Sequence, residues 1–269
     1  MYNSSILVPT KGTLRRYFKK AIFGSHVHCP ECKSRDFRVI ASEERWRCNR
    51  CNHPFSIKSS CWLKGSKLPL ETIWLLLRSW QKKYSLQQAM DLAQVSYPTA
   101  SDWYERFRDH IPKEKLNILL SGQIACDEMY TKQQSIIGAK EKGTRNIVLK
   151  IIHERSVNKT DAMRFLQAYV RANSHVCTDG SKIYRGMDKW HNLKHSYEIH
   201  KRFEFELTSE IEGLWGVFRT FVRRMYHHVT RYKLAAVVAE FTLRFRQDII
   251  FNSPDDYLRL CLKPCPLAL

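Results

Sequence analysis

Four cysteines, Cys29, Cys32, Cys48 and Cys51, follow the pattern C-x2-C-x15-C-x2-C. Each C-x2-C turn brings two sulfurs toward one point, and tetrahedral Zn²⁺ requires four thiolates at about 2.3 Å. The spacing therefore predicts a closed structural zinc site with no open position for a substrate. His28 and His53 flank the knuckles but are not needed as ligands. Cys61, Cys126, Cys177, Cys261 and Cys265 show no metal spacing and read as free, buried thiols. Paired knuckles of this kind argue against a secreted disulfide scaffold and for a reducing, intracellular compartment.

Two aspartates form a second candidate set. Asp127 follows the apolar "IAC" inside a β-rich run, and Asp179 ends the apolar "HVCT" just before Gly180. A carboxylate within or at the tip of a buried strand costs several kcal/mol unless it is paired or holds a cation. Taken singly, Asp179 also reads as an ordinary Asp-Gly turn and Asp127 as a solvent-facing position on a half-buried strand. Joined by a third carboxylate from a helix, the two make an oxygen-rich site suited to Mg²⁺ or Mn²⁺. Two such ions about 4 Å apart activate a water or a 3′-hydroxyl and stabilise the leaving oxygen during attack on a phosphodiester.

The third carboxylate is sought in "TSEIEGLWGVFRTFVRRMYHHV", Thr208 to Val229. With a helix starting near Ser209, Glu212, Gly216, Arg219 and Arg223 share one small, basic stripe, whereas Glu210 heads a stripe of Leu214, Val217 and Phe221. Glu212 is thus the better third ligand, and Glu210 a packing or solvent residue. Ser209-x-x-Glu212 is also a capping box, which needs no catalysis to explain it. Trp215, Phe218, Phe221 and Tyr226 lie at helical spacing and read as core. His227 and His228 could bind metal, but more simply close the helix.

These residues need elements to hold them. The 269 residues suffice for a catalytic core and one or two small modules. A net charge of +19 predicts a polyanionic partner, nucleic acid first, and no apolar run is long enough for a membrane span. The N-terminal "LRRYFKKAIFG" could imitate a transit peptide, but it reads as a short basic helix leading into the cysteine knuckles. "KSRDFRVIASEERWR" between the knuckles can form a hairpin. From Leu68 the pattern turns helical: "LETIWLLLRSWQKK", then "LQQAMDLAQ" capped by Ser85, then "PTASDWYERFR". A tight joint between the last two outlines a helix-turn-helix, with Thr99, Ser101, Asp102 and Arg106 facing DNA; a plain three-helix bundle fits the same spacing. From Gly122, three β-rich runs and then alternating helix and strand predict a mixed α/β sheet with helices on its faces. The expected divisions are 1–64 (basic helix and zinc ribbon), 65–115 (helix-turn-helix), 120–250 (catalytic domain) and 251–269 (a loose C-terminal tail with proline breaks).

The stretches "FSIKSSCWLKGSKLPLETIWLLL", "CDEMY", "TDGSKIYRGM", "IEGLWGVFRTFVRRMYHHV" and "EFTLRFR" occur in order, and together resemble insertion-sequence transposases with an N-terminal zinc ribbon and an ISXO-like DDE catalytic domain. The resemblance implies a ribonuclease-H-like core, recognition of terminal inverted repeats, divalent-metal strand cleavage and transfer on double-stranded DNA, and homo-oligomeric assembly across two DNA ends. It places the first acid on Asp127 and the second on Asp179. It also places a histidine before the third motif on His200, and on Arg219 a basic residue that is usually lysine. The family's third position falls on Ser209, which carries no charge; either serine replaces a ligand or a neighbouring glutamate, Glu212, serves. Arg223 and Arg224 join Thr99, Ser101 and Arg106 as expected DNA contacts. The resulting expectation is a transposase active in a nucleoid or nucleus. A non-catalytic DNA-binding derivative and a purely hydrolytic nuclease are the competing readings.

Overall fold

The computed structural model describes residues 7–131, 134–198 and 208–262. They fall into two compact units, one made of the residues up to Ile111 with those from Ile249 onward, the other of Pro112–Asp248.

The first unit opens with α1 (Lys11–Phe23), N-capped by the Thr10 side chain, which buries Leu14, Phe18, Ile22 and Phe23 on one face. The expected hairpin follows as β1 (Phe37–Ile40) and β2 (Arg45–Cys48), antiparallel with Phe37 opposite Cys48, and β3 (Pro54–Phe55) adds a third short strand. So small a sheet buries little by itself. An aromatic cluster of Phe23, Phe37, Trp46 and Phe55, with ring centroids 5.5–6.3 Å apart, ties it to α1. Three helices follow: α2 (Leu70–Gln81), α3 (Leu86–Ala93) and α4 (Tyr97–Asp109). Ser85 and Gln88 form a reciprocal capping box on α3, and Ser96 caps α4, whose first turn contains Pro98. Gln94, left-handed at φ 52°, ends α3 and makes the α3–α4 joint tight.

The second unit is built on a five-stranded sheet in the order β6-β5-β4-β7-β8. β4 (Gln123–Tyr130), β5 (Ser135–Glu141) and β6 (Ile147–Ile152) form an antiparallel meander. The chain crosses through α5 (Lys159–Tyr169) to β7 (His175–Asp179), parallel to β4, and through the short α6 (Asp188–His191) to β8 (Lys194–Glu198), parallel to β7. This mixed sheet, with an antiparallel meander of three strands and two further parallel strands, is the mixed α/β sheet expected. On one face Ile124, Cys126, Ile137, Ala139, Val148 and Val176 pack with Ala162, Phe165 and Leu166 of α5. On the other face α7 (Ser209–Tyr226) lies over β4 and β5, and α8 (Arg231–Phe245) over β6.

The chain then returns to the first unit, and there the expectation of a loose tail is overturned. Pro254–Cys261 forms α9, with Ser253 as N-cap and Pro254 in the first turn. Its Tyr257 and Leu258 are buried; the Tyr257 hydroxyl donates to the Phe107 carbonyl at 2.8 Å, and its ring meets Trp80 edge-on at 5.6 Å. The proline that reads as a break is the residue that starts the helix.

Candidate functional site

The zinc-type cluster forms from two matching knuckles. The N–H of Lys33 donates to the Cys29 carbonyl and that of Asn52 to the Cys48 carbonyl, both at 3.0 Å, and both donors sit in the left-handed region at φ near 60°. Each knuckle thereby turns its two sulfurs inward. The four Sγ atoms lie within 4.8 Å of one another, with Cys29–Cys51 at 3.6 Å and Cys32–Cys48 at 3.5 Å. A tetrahedron of 2.3 Å bonds has edges of about 3.8 Å, so the donor set fits one structural Zn²⁺. Among the described residues no other cluster of this kind occurs. Cys61, Cys126, Cys177 and Cys261 are buried as expected, and Cys265 lies outside the described residues.

The acidic site is set by strand register. β4 and β7 are parallel, with Ala125 opposite Cys177, so Asp127 and Asp179 each lie two residues beyond that pair on neighbouring strands. Asp127 occupies the central strand and faces α7, where the Trp215 indole N–H donates to its Oδ2 at 2.9 Å. Burial raises the Asp127 pKa; the Glu128 backbone and the Trp215 N–H work against this, while the charges of Asp179 and Glu212 push it further up. Asp179 and Glu212 thus act on Asp127 through their charges, although the three carboxylates do not close to within 4.8 Å of one another. Asp179 keeps part of its turn role, since its Oδ1 accepts from the Ser181 N–H at 3.1 Å.

Glu212 is placed through a relay that begins on the sheet edge. Glu198 ends β8 directly across from Asp179. Its Oε2 accepts the Thr208 N–H at 3.1 Å, and the Thr208 hydroxyl lies 3.2 Å from that oxygen and 3.3 Å from Glu212 Oε1. Thr208, not Ser209, holds the cap position of α7, so the expected Ser209–Glu212 capping box gives way to a helix that starts one residue earlier. The expected stripe does form: Glu212, Gly216, Arg219 and Arg223 are exposed together, while Leu214, Trp215, Phe218 and Phe221 are buried opposite. Arg224 is exposed beside them. Glu210 is neither packed nor free, because its carboxylate pairs with Lys140 of β5 and lies 3.3 Å from the Gly143 N–H. His200 lies outside the described residues.

Three participants were not evident from the sequence. Gly138 is the cross-strand partner of Asp127, and a Cβ there would meet the Trp215 ring at 2.6 Å, so the glycine is what lets the indole reach the aspartate. A lone glycine inside a strand pattern is the one signal that could have found it. Glu128, on the opposite face, accepts from the Tyr184 hydroxyl at 2.6 Å; burial first, then the charges of Asp127 and Asp179, raise its pKa to about 7 against the pull of that hydroxyl. Glu198 is the third.

The expected recognition residues lie on α4. Thr99 and Ser101 are half-buried, and the Thr99 hydroxyl is 2.9 Å from that of Ser96. Arg106 reaches back to Asp102 at 2.8 Å and lies 5.5 Å from the Trp103 ring centre. These bonds hold the guanidinium along its own helix rather than extended away from it.

The comparisons bear on both units. The transposase zinc-ribbon domain model matches residues 9–54 and the ISXO2-like transposase domain model matches residues 115–246. No curated protein matches the chain. Among solved structures, the cryo-EM structure of a simian T-cell lymphotropic virus intasome in complex with PP2A regulatory subunit B56 gamma is similar at 12% identity and a TM-score of 0.33. That match covers 61% of this chain and 66% of the other. No helix among the described residues is long and apolar enough to cross a membrane. With a zinc ribbon and a catalytic-type domain matched in order over most of its length, the chain belongs to the ISXO2-like, zinc-ribbon-bearing transposase family.

Proposed function

We propose that this protein binds the terminal inverted repeats of a mobile element and catalyses metal-dependent cleavage and transfer of DNA strands. The observation that carries the reading is the strand register: Asp127 and Asp179 sit at matching positions on the neighbouring parallel strands β4 and β7, and Trp215 of α7 donates to Asp127. Carboxylates at matching positions on neighbouring strands fit a divalent cation, and all-oxygen donors suit Mg²⁺ or Mn²⁺. Bound there, such ions supply the activation of the attacking oxygen and the stabilisation of the leaving one. Asp127 and Asp179 would hold them from adjacent strands and Glu212 from α7. Trp215 orients Asp127, and Arg219, Arg223 and Arg224 line the DNA strand along the exposed face of α7. The zinc ribbon and the α2–α4 helices, acting as a helix-turn-helix, bind the element ends, with Thr99, Ser101 and Arg106 as the α4 contacts. The protein works as a homo-oligomer on two ends inside a reducing compartment.

The test is incubation of purified protein with a terminal-repeat duplex and Mg²⁺. Nicked and joined products are expected from the native chain and none from Asp127→Asn; products from Asp127→Asn sink the assignment. Ser209 favours a second reading, a DNA-binding derivative without catalysis. Under that reading, DNA binding persists in EDTA and no metal yields cleavage.

A further inference from the structure

At the end of α7 the backbone takes an uncommon turn. His227 has φ 58° and ψ −53°, and the His228 N–H donates to the Tyr226 carbonyl at 2.6 Å. This is a three-residue turn of the positive-φ kind, rare and strained for any residue with a Cβ. It puts His227 and His228 in the wall of a cleft of about 560 Å³ between α7, α8 and the end of β4.

The cleft has two chemistries. Buried Met129, Phe218 and Leu234 give it an apolar floor, while Arg219, Arg223 and Arg231 are exposed along its rim. Among the described residues no carboxylate lines it. Apolar surface beneath a ring of cations suits a ligand that joins a flat ring to an anion, which describes a nucleotide. Its position is also informative. Met129 lies two residues along β4 from Asp127, and Arg219 lies two turns along α7 from Glu212. Bases stacked within a duplex cannot present a ring face to such a floor.

We propose that this cleft receives an unpaired nucleotide at a DNA strand end, its base on Met129, Phe218 and Leu234 and its phosphates against Arg223 and Arg231. The proposal rests on the transposase reading and adds to it a site that holds the strand beside the acids.

The test compares binding of the full-length, zinc-loaded protein, in Ca²⁺, to three duplexes: blunt, with a two-nucleotide single-stranded tail, and with the same tail made abasic. The tailed duplex is expected to bind about tenfold more tightly than the blunt one, in line with base contacts on apolar and aromatic side chains. The abasic tail should bind like the blunt end. Val222→Trp, which fills the cleft without changing charge, should abolish the tail preference and leave blunt-end affinity within about threefold. His227→Gly, which keeps the turn because glycine takes positive φ freely, should reduce the preference without lowering the melting temperature. Equal binding of all three duplexes, or a preference that survives Val222→Trp, overturns the cleft proposal alone. Failure to bind any duplex overturns the transposase reading and this proposal with it.

Discussion

At the scale of single residues, Asp127 depends on a contact made by an indole and permitted by a glycine. Trp215→Phe keeps a ring over Gly138 but removes the N–H that donates to Asp127. A hydrogen bond to a charged group is worth about 1.5–3 kcal/mol, so Mn²⁺ affinity at the proposed acidic site should fall about ten- to a hundredfold. Calorimetric titration, with Asp127→Asn as the zero, checks it; unchanged affinity would detach the indole from the site. Gly138→Ala acts from beneath, driving a methyl into the Trp215 ring at 2.6 Å and into Leu149 at 2.7 Å. The expected cost is about 1–3 kcal/mol of stability, read as a lower urea midpoint, together with weaker metal binding as the indole shifts. The cysteines and the two aspartates were legible in the sequence because spacing and strand position are local signals. Gly138, Glu128 and Glu198 were not, because each acquires meaning only from a partner brought close by folding: Gly138 from Asp127 across a strand pair, Glu128 from the Tyr184 hydroxyl, and Glu198 from Thr208 at the start of α7.

At the scale of elements, α7 is the part that converts a sheet into a site, and it is anchored at its first turn from two sides. Thr208 ties it to the end of β8, and the Glu210–Lys140 ion pair ties it to β5. The Lys140 hydrogen bond, ahead of the Gly143 N–H and the charges of Lys140 and Lys142, holds the Glu210 pKa below its usual value despite some burial. A depressed carboxylate stabilises the fold at pH values above its unfolded pKa, and that contribution is lost as pH falls through the folded value. Glu210→Gln should therefore melt at a lower temperature than the native chain at pH 7, and the difference should vanish near about pH 3, below the ordinary glutamate range. A gap that is constant across the two pH values would mean that packing, not charge, is at work. Most of these elements were readable from periodicity, including β4 residue for residue and the cap of α3. The exception is α9: Ser253-Pro254 reads locally as a break, yet the same two residues are a cap and a first turn once Tyr257 has Trp80 and Phe107 to pack on.

At the scale of the whole molecule, the two units are stabilised by different means, and this gives them separate responses to one reagent. The Pro112–Asp248 unit has a sheet core of its own, in which Ile124, Cys126, Ile137, Val148 and Val176 are fully buried. The other unit divides its burial between an aromatic cluster beside four thiols and the α2, α4 and α9 contacts. Structural zinc contributes about 10–16 kcal/mol to the folding of small cysteine modules, far more than four aromatic rings under a three-stranded sheet can supply. Scanning calorimetry should accordingly resolve two transitions, and a chelator should lower one of them while leaving the other in place. Tyr257→Ala should lower that same chelator-sensitive transition, since removing a buried aromatic ring costs about 3–5 kcal/mol and the ring packs on Trp80 and Phe107 of the zinc-bearing unit. If Tyr257→Ala moved the chelator-resistant transition instead, α9 would belong energetically to the catalytic-type unit, and the division of the chain at Ile111 and Ile249 would be wrong.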